Sequence, residues 1–175
     1  MLKSDLRIKH LNIRKNMSVE ERERFSALIF NRLIQFTEFY ERVGVYISME
    51  YEVDTRQFIQ WCFSKNKKVY VPKIVDKHMI FVQIHSLDEC SVNKMGILEP
   101  ISNVSTKDEI DLLIVPMLAY NERNYRLGYG KGYYDQYLST SKSYRLGICF
   151  SKNFEPEFFE QDYDEKLAQI FTELV

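Results

Sequence analysis

The chain has 175 residues and a formal net charge of −1 at pH 7, with 45% hydrophobic and 28% charged residues. This length and composition are typical of a soluble globular protein, so we expect residues 1–175 to form a single domain. A balanced charge argues against a general nucleic-acid binder. No apolar run approaches 18 residues, which argues against a membrane span. The N-terminus lacks an apolar region, which argues against a secretory signal.

The cysteine and histidine residues also exclude several classes of protein. Cys62, Cys90 and Cys149 are far apart and odd in number, so we expect reduced thiols in a cytoplasmic protein. The three histidines have no zinc-ligand spacing. A metal would therefore be held by oxygen atoms, which favours Mg²⁺ over Zn²⁺.

The first predicted elements are two helices. Residues 2–16 are predicted to form a short basic helix with an apolar side of Leu2, Leu6 and Leu11. On another side lie Lys3, Arg7 and Arg14, where we expect a solvated face. Ser18 and Glu21 have the spacing of a capping box. The helix that follows carries an i, i+3, i+4 stripe that predicts a core face, formed by Phe25, Leu28, Ile29, Leu33 and Phe36.

The rest of the chain alternates apolar strands with helical or polar segments. A helix begins at Asp54 or Thr55, and we expect loops over 96–100 and 102–109. Pro72 is expected to close its strand. The predicted strands are 43–48, 68–72, 79–84, 111–116, 144–150 and, at the C-terminus, a strand within 170–175. This alternation predicts an α/β fold with a mostly parallel sheet and helices on both faces.

The most informative segment, residues 116–138, directly follows the strand 111–116. Gly128, Gly130 and Gly132 alternate there, with Arg126 and Lys131 among them, and helical spacing begins after Gly132. Glycines that lead into a helix N-terminus beside basic side chains favour phosphate binding over an ordinary turn. The segment is not a Walker A loop, because a glycine stands where Ser or Thr is required after the lysine.

The sequence from Arg126 to Asp135, RLGYGKGYYD, closely resembles the signature of the 5-formyltetrahydrofolate cyclo-ligases, also called methenyltetrahydrofolate synthetases. The resemblance covers residues 3–173 in the family's order. The other matching segments are KSDLR (3–7), SMEYEVDT (48–55), VPK (71–73), GILEP (96–100) and DEKLAQIFTE (164–173).

The resemblance implies a three-layer α/β/α sandwich with a NagB/ribose-isomerase-like topology. It also implies that ATP and Mg²⁺ drive the conversion of 5-formyltetrahydrofolate into 5,10-methenyltetrahydrofolate, through a phosphorylated formyl (iminophosphate) intermediate, with release of ADP and phosphate. The alternative is a non-catalytic folate or nucleotide-binding module on the same scaffold. A sugar-phosphate isomerase or acyl-transferase would rest on topology alone, which is a weak warrant.

The resemblance also assigns site residues. Arg126 and Lys131 are the expected catalytic residues, and Asp135 and Asp164 the expected Mg²⁺ ligands, with Asp162 as a substitute for the second. Without a metal, Asp135 would only favour the N-terminus of its helix. Expected ATP contacts are Lys3, Arg7, Arg126, Leu127, Gly128, Tyr129, Gly130, Lys131, Gly132, Tyr133 and Tyr134. Expected folate contacts are Ile47, Glu52, Tyr129, Gly130, Lys131, Gly132 and Tyr133.

Two of these expectations have alternatives. Glu52 could instead be an exposed loop acid. Among the six tyrosines of residues 120–137, Tyr129 and Tyr133 are the better candidates for lining a pterin pocket, whereas Tyr134 and Tyr137 could anchor their helix to the sheet.

Asn124 stands where the family usually has glycine, and asparagine tolerates the positive φ that such a turn requires. The expected partner is 5-formyltetrahydrofolate, with or without a polyglutamate tail. We expect no nucleic-acid or membrane partner, and a monomer or weak homodimer.

Overall fold

The structure, a computed structural model, describes residues 2–174. The helices are α1 (Lys3–Lys15), α2 (Val19–Thr37), α3 (Arg56–Ser64) and α4 (Tyr133–Leu138). The strands are β1 (Arg42–Val45), β2 (Lys68–Val75), β3 (His78–Ile84), β4 (Cys90–Val92), β5 (Leu98–Pro100), β6 (Leu112–Val115), β7 (Ala119–Tyr120), β8 (Arg126–Leu127), β9 (Tyr144–Ile148) and β10 (Gln169–Phe171). Two 3₁₀ turns cover Leu87–Glu89 and Ser151–Asn153.

Six strands form the central sheet in the order β10-β9-β6-β1-β2-β3. All neighbouring pairs are parallel except β2 and β3, which form an antiparallel hairpin. The prediction of a mostly parallel sheet is confirmed. Strands β2 and β3 follow β1 on one side of it, and the later strands β6, β9 and β10 lie on its other side. The strand order therefore reverses between β1 and β6.

The two faces of the sheet bury different helices. One face packs Val45 and Ile114 against α2 and α3, through residues such as Ile29 and Phe58. The opposite face buries Leu113 together with Leu138 of α4. Helices therefore cover both faces, which confirms the predicted three layers.

Helix α1 packs beside the β7–β8 hairpin, where Leu6 contacts Leu127 and Phe158 in a small apolar cluster. Of the predicted apolar side, Leu6 is buried but Leu2 is 71% exposed, and the prediction of a solvated charged face is wrong for Arg14. Arg14 is 1% exposed and His10 is fully buried. The reason is that the C-terminal half of α1 packs against the turn at Ser151–Asn153, which covers the side chains of that half.

Helix α2 has the predicted cap, since the backbone N–H of Glu21 donates to the Ser18 hydroxyl at 3.0 Å. The Glu21 carboxylate does not complete the box, because it pairs with Lys152 at 2.6 Å. Of the predicted stripe, Ile29 and Leu33 are buried, whereas Leu28 is 44% exposed and lies outside the core.

Three other predicted boundaries change. Strand β2 continues through Pro72 to Val75, because its pairing with β1 ends at Tyr70 while its pairing with β3 goes on. The predicted loop 96–100 contains β5, paired with β4. The last strand begins at Gln169, earlier than predicted. None of the helices within residues 2–174 combines the length and apolarity that crossing a bilayer requires.

Candidate active site at the carboxyl ends of the central strands

The candidate site lies outside the carboxyl ends of β1 and β6, where the strand order changes direction. Ligands of open α/β sheets bind at such switch points, because the loops from the two neighbouring strands diverge and leave a crevice. The segment that follows β1 contains Glu52, and the segment that follows β6 leads to the glycines. Strand order therefore brings together two motifs that are about 75 residues apart in sequence.

The β7–β8 hairpin sets where the glycine loop, residues 126–132, begins. The backbone N–H of Leu118 donates to the carbonyl of Leu127 at 2.7 Å. At the turn of the hairpin, the Asn121 side chain accepts hydrogen bonds from the backbone N–H groups of Arg123 and Tyr125. Asn124 has φ +63°, so the expected positive φ at this position is confirmed.

Within the glycine loop, the backbone conformation and helix α1 fit each other closely. Gly130 has φ +94° and Gly132 has φ +72°. A side chain at Gly130 would place its Cβ 3.1 Å from Cζ of Arg7, so the guanidinium would have to move by a few tenths of an ångström. The Nε of Arg7 donates to the carbonyl of Gly128 at 2.9 Å. Arg7 and the loop are therefore in contact, and the expected role of Arg7 toward ATP stays a prediction.

Arg126 and Asp135 form an ion pair of 2.9 Å across the glycine loop. Arg126 is only 6% exposed, and its guanidinium lies 5.4 Å from the centre of the Tyr134 ring. Within residues 2–174, two polar atoms here are buried without a partner, Nε of Arg126 and the hydroxyl of Tyr134. Unpaired buried donors are costly, and they indicate a place where an acceptor from a ligand could bind.

The acidic tail approaches the same loop. Asp135 accepts a hydrogen bond from the backbone N–H of Glu165 at 3.2 Å, and the neighbouring residue Asp164 pairs with Lys3 at 2.6 Å. Asp162, the possible substitute, is exposed. The structure therefore brings α1, the glycine loop and the tail together.

Asp135 and Asp164 supply carboxylate oxygens, the type of ligand that Mg²⁺ takes, and each is paired with a cation, Arg126 or Lys3. Beside phosphate groups this ion uses one or two carboxylates, with phosphate oxygens and water completing an octahedron. Residues 2–174 contain no group of three His, Cys, Asp or Glu side chains that could hold a metal alone. An ion held by Asp135 and Asp164 would therefore need further oxygen ligands, from phosphate or water.

Glu52 is buried, at 8% exposure, so the alternative of an exposed loop acid is wrong. Its Oε2 accepts from the backbone N–H of Met49 at 2.8 Å, and its Oε1 accepts from the Tyr129 hydroxyl at 2.7 Å. Burial, and then the charge of Glu52, raise the pKa of Tyr129 well above its usual value. Tyr129 therefore stays a hydrogen-bond donor at neutral pH.

Glu52 also lines a cleft of about 1140 Å³, which we call the β1 cleft. Its walls come from the first turns of α2, residues 48–57 and the β4–β5 hairpin, and include Arg22, Ser48, Arg56 and Leu98. The glycine loop lies outside this lining and reaches it through the contact between Tyr129 and Glu52.

Several predicted contact residues have mainly structural surroundings. Ile47 is 7% exposed and belongs to the core on the α2 side of the sheet, and Leu127 is buried beneath α1. Tyr133 and Tyr134, together with Tyr137, pack against the core on the other side. Lys131 is exposed on the glycine loop. Their roles toward a ligand stay predictions.

Sequence reasoning missed the buried polar cluster at the end of α1. Arg14 donates to the side chain of Asn153 at 3.2 Å, and Asn153 in turn bonds His10. His10 lies 3.0 Å from Glu155, which also pairs with Lys9. Residues 3, 7, 10 and 14 share one helical face, and this spacing could have revealed that the basic residues point inward.

The profile of the 5-formyltetrahydrofolate cyclo-ligase family matches residues 1–173. A probable 5-formyltetrahydrofolate cyclo-ligase of Schizosaccharomyces pombe is 34% identical over 152 residues, covering 75% of this chain and 74% of the relative. The 5-formyltetrahydrofolate cyclo-ligase of Mus musculus is 26% identical, covering 90% of this chain and 86% of the relative.

Solved structures give the same result for the fold. The 5,10-methenyltetrahydrofolate synthetase of Aquifex aeolicus superposes with a TM-score of 0.88 at 32% identity, covering 100% of this chain and 91% of the other. A synthetase from Mycoplasma pneumoniae gives a TM-score of 0.79 at 24% identity, with 99% of each chain covered, and supports the fold alone.

Proposed function

The chain belongs to the 5-formyltetrahydrofolate cyclo-ligase family and is an enzyme of that family, and from this premise we propose its co-substrates, mechanism and residue roles. The proposed reaction uses ATP and Mg²⁺ to cyclise 5-formyltetrahydrofolate to 5,10-methenyltetrahydrofolate. The folate is proposed to occupy the β1 cleft, and the phosphates of ATP to lie on the glycine loop.

One observation carries this arrangement: the hydrogen bond of 2.7 Å between Tyr129 and Glu52. Glu52 lines the cleft and Tyr129 belongs to the glycine loop. The contact supports a single composite site, in which a folate in the cleft and a nucleotide on the loop would be close enough to react. Two unrelated sites would not require it.

The nucleotide side of the proposal depends on positive charge. Lys3, Arg7, Arg126 and Lys131 surround or belong to the glycine loop, and the buried Nε of Arg126 lacks a partner within the described chain. A phosphate oxygen would satisfy this donor in a charge-assisted hydrogen bond. Asp135 and Asp164 would hold Mg²⁺, which supplies positive charge against the phosphate oxygens.

The chemistry explains why ATP is needed. A formamide is a poor electrophile, and its oxygen must leave before N10 of the folate can close the ring. Transfer of the γ-phosphoryl group to the formyl oxygen releases ADP and gives an iminophosphate. N10 then attacks the formyl carbon, the carbon–oxygen bond breaks, phosphate leaves and N10 loses its proton.

In this scheme the protein aligns the reactants and stabilises charge. Arg126 and Lys131 are the proposed catalytic residues, because both are cations on the loop that would hold the transferring phosphoryl group. Glu52, Ile47 and Tyr133 are proposed to position the folate. We also propose that the chain works as one cytoplasmic domain without a nucleic-acid partner, as a monomer or weak homodimer.

The proposal is tested by incubating the pure protein with MgATP and 5-formyltetrahydrofolate while following the methenyl chromophore and ADP. Both should appear together and in equal amounts, and both should stop when ATP or Mg²⁺ is omitted. Folded protein that gives no ATP-dependent signal would exclude the proposal. Calorimetry showing tight folate binding without ADP release would instead favour the non-catalytic binding module.

Lys131 gives the sharper test of the proposed roles. Lys131→Ala should lower kcat/KM by about 100-fold or more, because a cation that stabilises the transferring phosphoryl group is lost. Its free energy of unfolding should change by less than about 1 kcal/mol, because an exposed lysine packs little. Lys142→Ala is a control on another loop and should retain activity. A large loss of stability in Lys131→Ala would make Lys131 a structural residue.

A further inference from the structure

Arg14 is a buried cation whose hydrogen-bond partners are all neutral. It lies in the last turn of α1 and is 1% exposed. Its guanidinium donates to the side chain of Asn153, to the backbone carbonyls of Met117 and Leu118, and toward the sulfur of Cys149. Burial disfavours its charge, but the nearby Glu52 carboxylate favours it and the pKa of Arg14 is raised, so it stays a cation. A buried charge without an ion-pair partner is expensive, and its position calls for an explanation.

The remaining contact of Arg14 leads to the candidate active site. Its Nη1 lies 3.4 Å from the hydroxyl oxygen of Tyr129, which can only accept from it. A tyrosine hydroxyl has a single proton to donate. With Arg14 on its acceptor side, Tyr129 directs that proton to Oε1 of Glu52 at 2.7 Å. The hydrogen bonds therefore run in one direction, from the cation through the hydroxyl to the carboxylate.

The other oxygen of Glu52 is also fixed, since Oε2 accepts from the backbone N–H of Met49 at 2.8 Å. Each carboxylate oxygen thus has one donor from the protein. Further acceptor capacity remains on both oxygens for a ligand in the β1 cleft. The carboxylate is held in one orientation before any ligand arrives, which lowers the entropic cost of binding.

We infer that Arg14 and Tyr129 are positioning residues that orient the Glu52 carboxylate toward the folate in the β1 cleft. The inference rests on the proposed function for the identity of the ligand. Arg14 contacts neither the β1 cleft nor the glycines and acts only through Tyr129. The inference also gives a reason for a tyrosine between Gly128 and Gly130, because its hydroxyl contacts both Arg14 and Glu52.

The first test removes the Tyr129 hydroxyl, which connects Arg14 to Glu52, and keeps the aromatic ring. Tyr129→Phe should raise both KM and the dissociation constant for 5-formyltetrahydrofolate about 10-fold, because the charged Glu52 carboxylate loses the hydrogen bond that the Tyr129 hydroxyl donates. The KM for ATP should change less than twofold. Tyr125→Phe is the matched control, since the Tyr125 hydroxyl makes no hydrogen bond within residues 2–174. This variant should have the folate KM of the wild type. An unchanged folate KM in Tyr129→Phe would overturn the inference.

A double-mutant cycle separates positioning from direct contact with the substrate. If Tyr129 acts through Glu52, adding Tyr129→Phe to Glu52→Ala should not weaken folate binding further, as measured by calorimetry. Equal and additive losses would mean that Tyr129 contacts the folate itself, and this would overturn its positioning role.

The role of Arg14 is read without any ligand, from the ¹³C carboxyl resonance of Glu52 in the free protein. Arg14→Lys keeps a cation but cannot reach every partner of the guanidinium, and Tyr129→Phe removes only one of those partners, the hydroxyl. Both variants should shift the resonance, while Arg24→Lys on the surface of α2 should not. A resonance unaffected by Arg14→Lys in a folded protein would exclude Arg14 from the chain of bonds.

The same resonance distinguishes failure of the proposed function from failure of the positioning role. If the wild-type protein neither binds nor converts the folate but the resonance responds to both variants, the proposed function fails and the positioning of Glu52 stands. If the wild type turns over and neither variant changes the resonance or the folate KM, the positioning fails and the proposed function stands.

Discussion

The two halves of α1 carry similar basic residues on the same face and have different surroundings. In the first half, Lys3 and Arg7 contact the rim of the site through partners that a ligand could replace, the carboxylate of Asp164 and the carbonyl of Gly128. In the second half, His10 and Arg14 are almost fully buried among fixed protein groups. One helical face thus borders the candidate site at one end and is enclosed in the interior at the other.

This difference shows that residue type and spacing do not decide the role of a basic side chain. Within α1 the difference is depth, because Lys3 and Arg7 lie near solvent and can exchange a partner for a phosphate, whereas Arg14 is enclosed by its partners. We therefore expect substitutions in the first half to change catalysis with little effect on stability, and substitutions in the second half to change stability as well as folate binding.

The largest expected difference is in stability. Arg14→Ala should lower the free energy of unfolding by about 3 kcal/mol, because it opens a cavity and leaves the buried partners of the guanidinium unpaired. Arg7→Ala should lower it by less than about 1 kcal/mol. Urea denaturation of both variants and the wild type measures this. Equal losses would mean that the two halves do not differ as described.

A smaller loss of folding stability is expected at low pH. Burial opposes the charge of Glu155, but the hydrogen bonds from Lys9 and His10 outweigh it and lower the pKa of Glu155 from 4.5 to about 2. Its stabilising contribution is present above pH 4.5 and is lost as the pH falls toward 2. Burial also lowers the pKa of His10 from 6.5, so protonation of this side chain destabilises the fold in the same direction.

Denaturation midpoints of the wild type and Glu155→Gln between pH 7 and pH 3 test this cluster. The wild type should lose about 1–2 kcal/mol more than the variant over this range, because the variant has no carboxylate to titrate. Parallel pH profiles would show that Glu155 does not hold the second half of α1 through its charge.

The smallest expected effect concerns the fit of Arg7 against the loop. Gly130→Ala should cost about 1 kcal/mol of stability from positive φ. It should also raise the KM for ATP about fivefold, because the new methyl group would press on the guanidinium of Arg7. Gly96→Ala is the matched control for the strain, since φ is +78° there and no atom lies within 4 Å of the new Cβ. The same ATP KM in both variants would mean that contact with Arg7 is unimportant.

The local parts of the site could be predicted from the sequence because each is encoded by neighbouring residues. The strand before Pro116, the glycines and the helix after Gly132 follow from apolar patterning and backbone freedom. The resemblance added Glu52 and the tail acid Asp164, and the structure puts each of them in contact with α1 or the glycine loop.

The rest depended on contacts between distant segments. The order of strands decides that β1 and β6 are neighbours, and no local pattern encodes that order. The burial of Arg14 follows from the turn at Ser151–Asn153, which is almost 140 residues away in the chain. The bond between Tyr129 and Glu52 likewise joins two loops, and neither loop's sequence indicates that the other lies beside it.

The most direct measurement is a crossed comparison of Michaelis constants in Arg7→Ala and Tyr129→Phe. Arg7→Ala should raise the KM for ATP about 10-fold and leave that for 5-formyltetrahydrofolate within twofold of the wild type, and Tyr129→Phe should do the reverse. This result would support a nucleotide side reached from the first half of α1 and a folate side held from its second half. Variants that raise both constants equally, or neither, would contradict this division of the site.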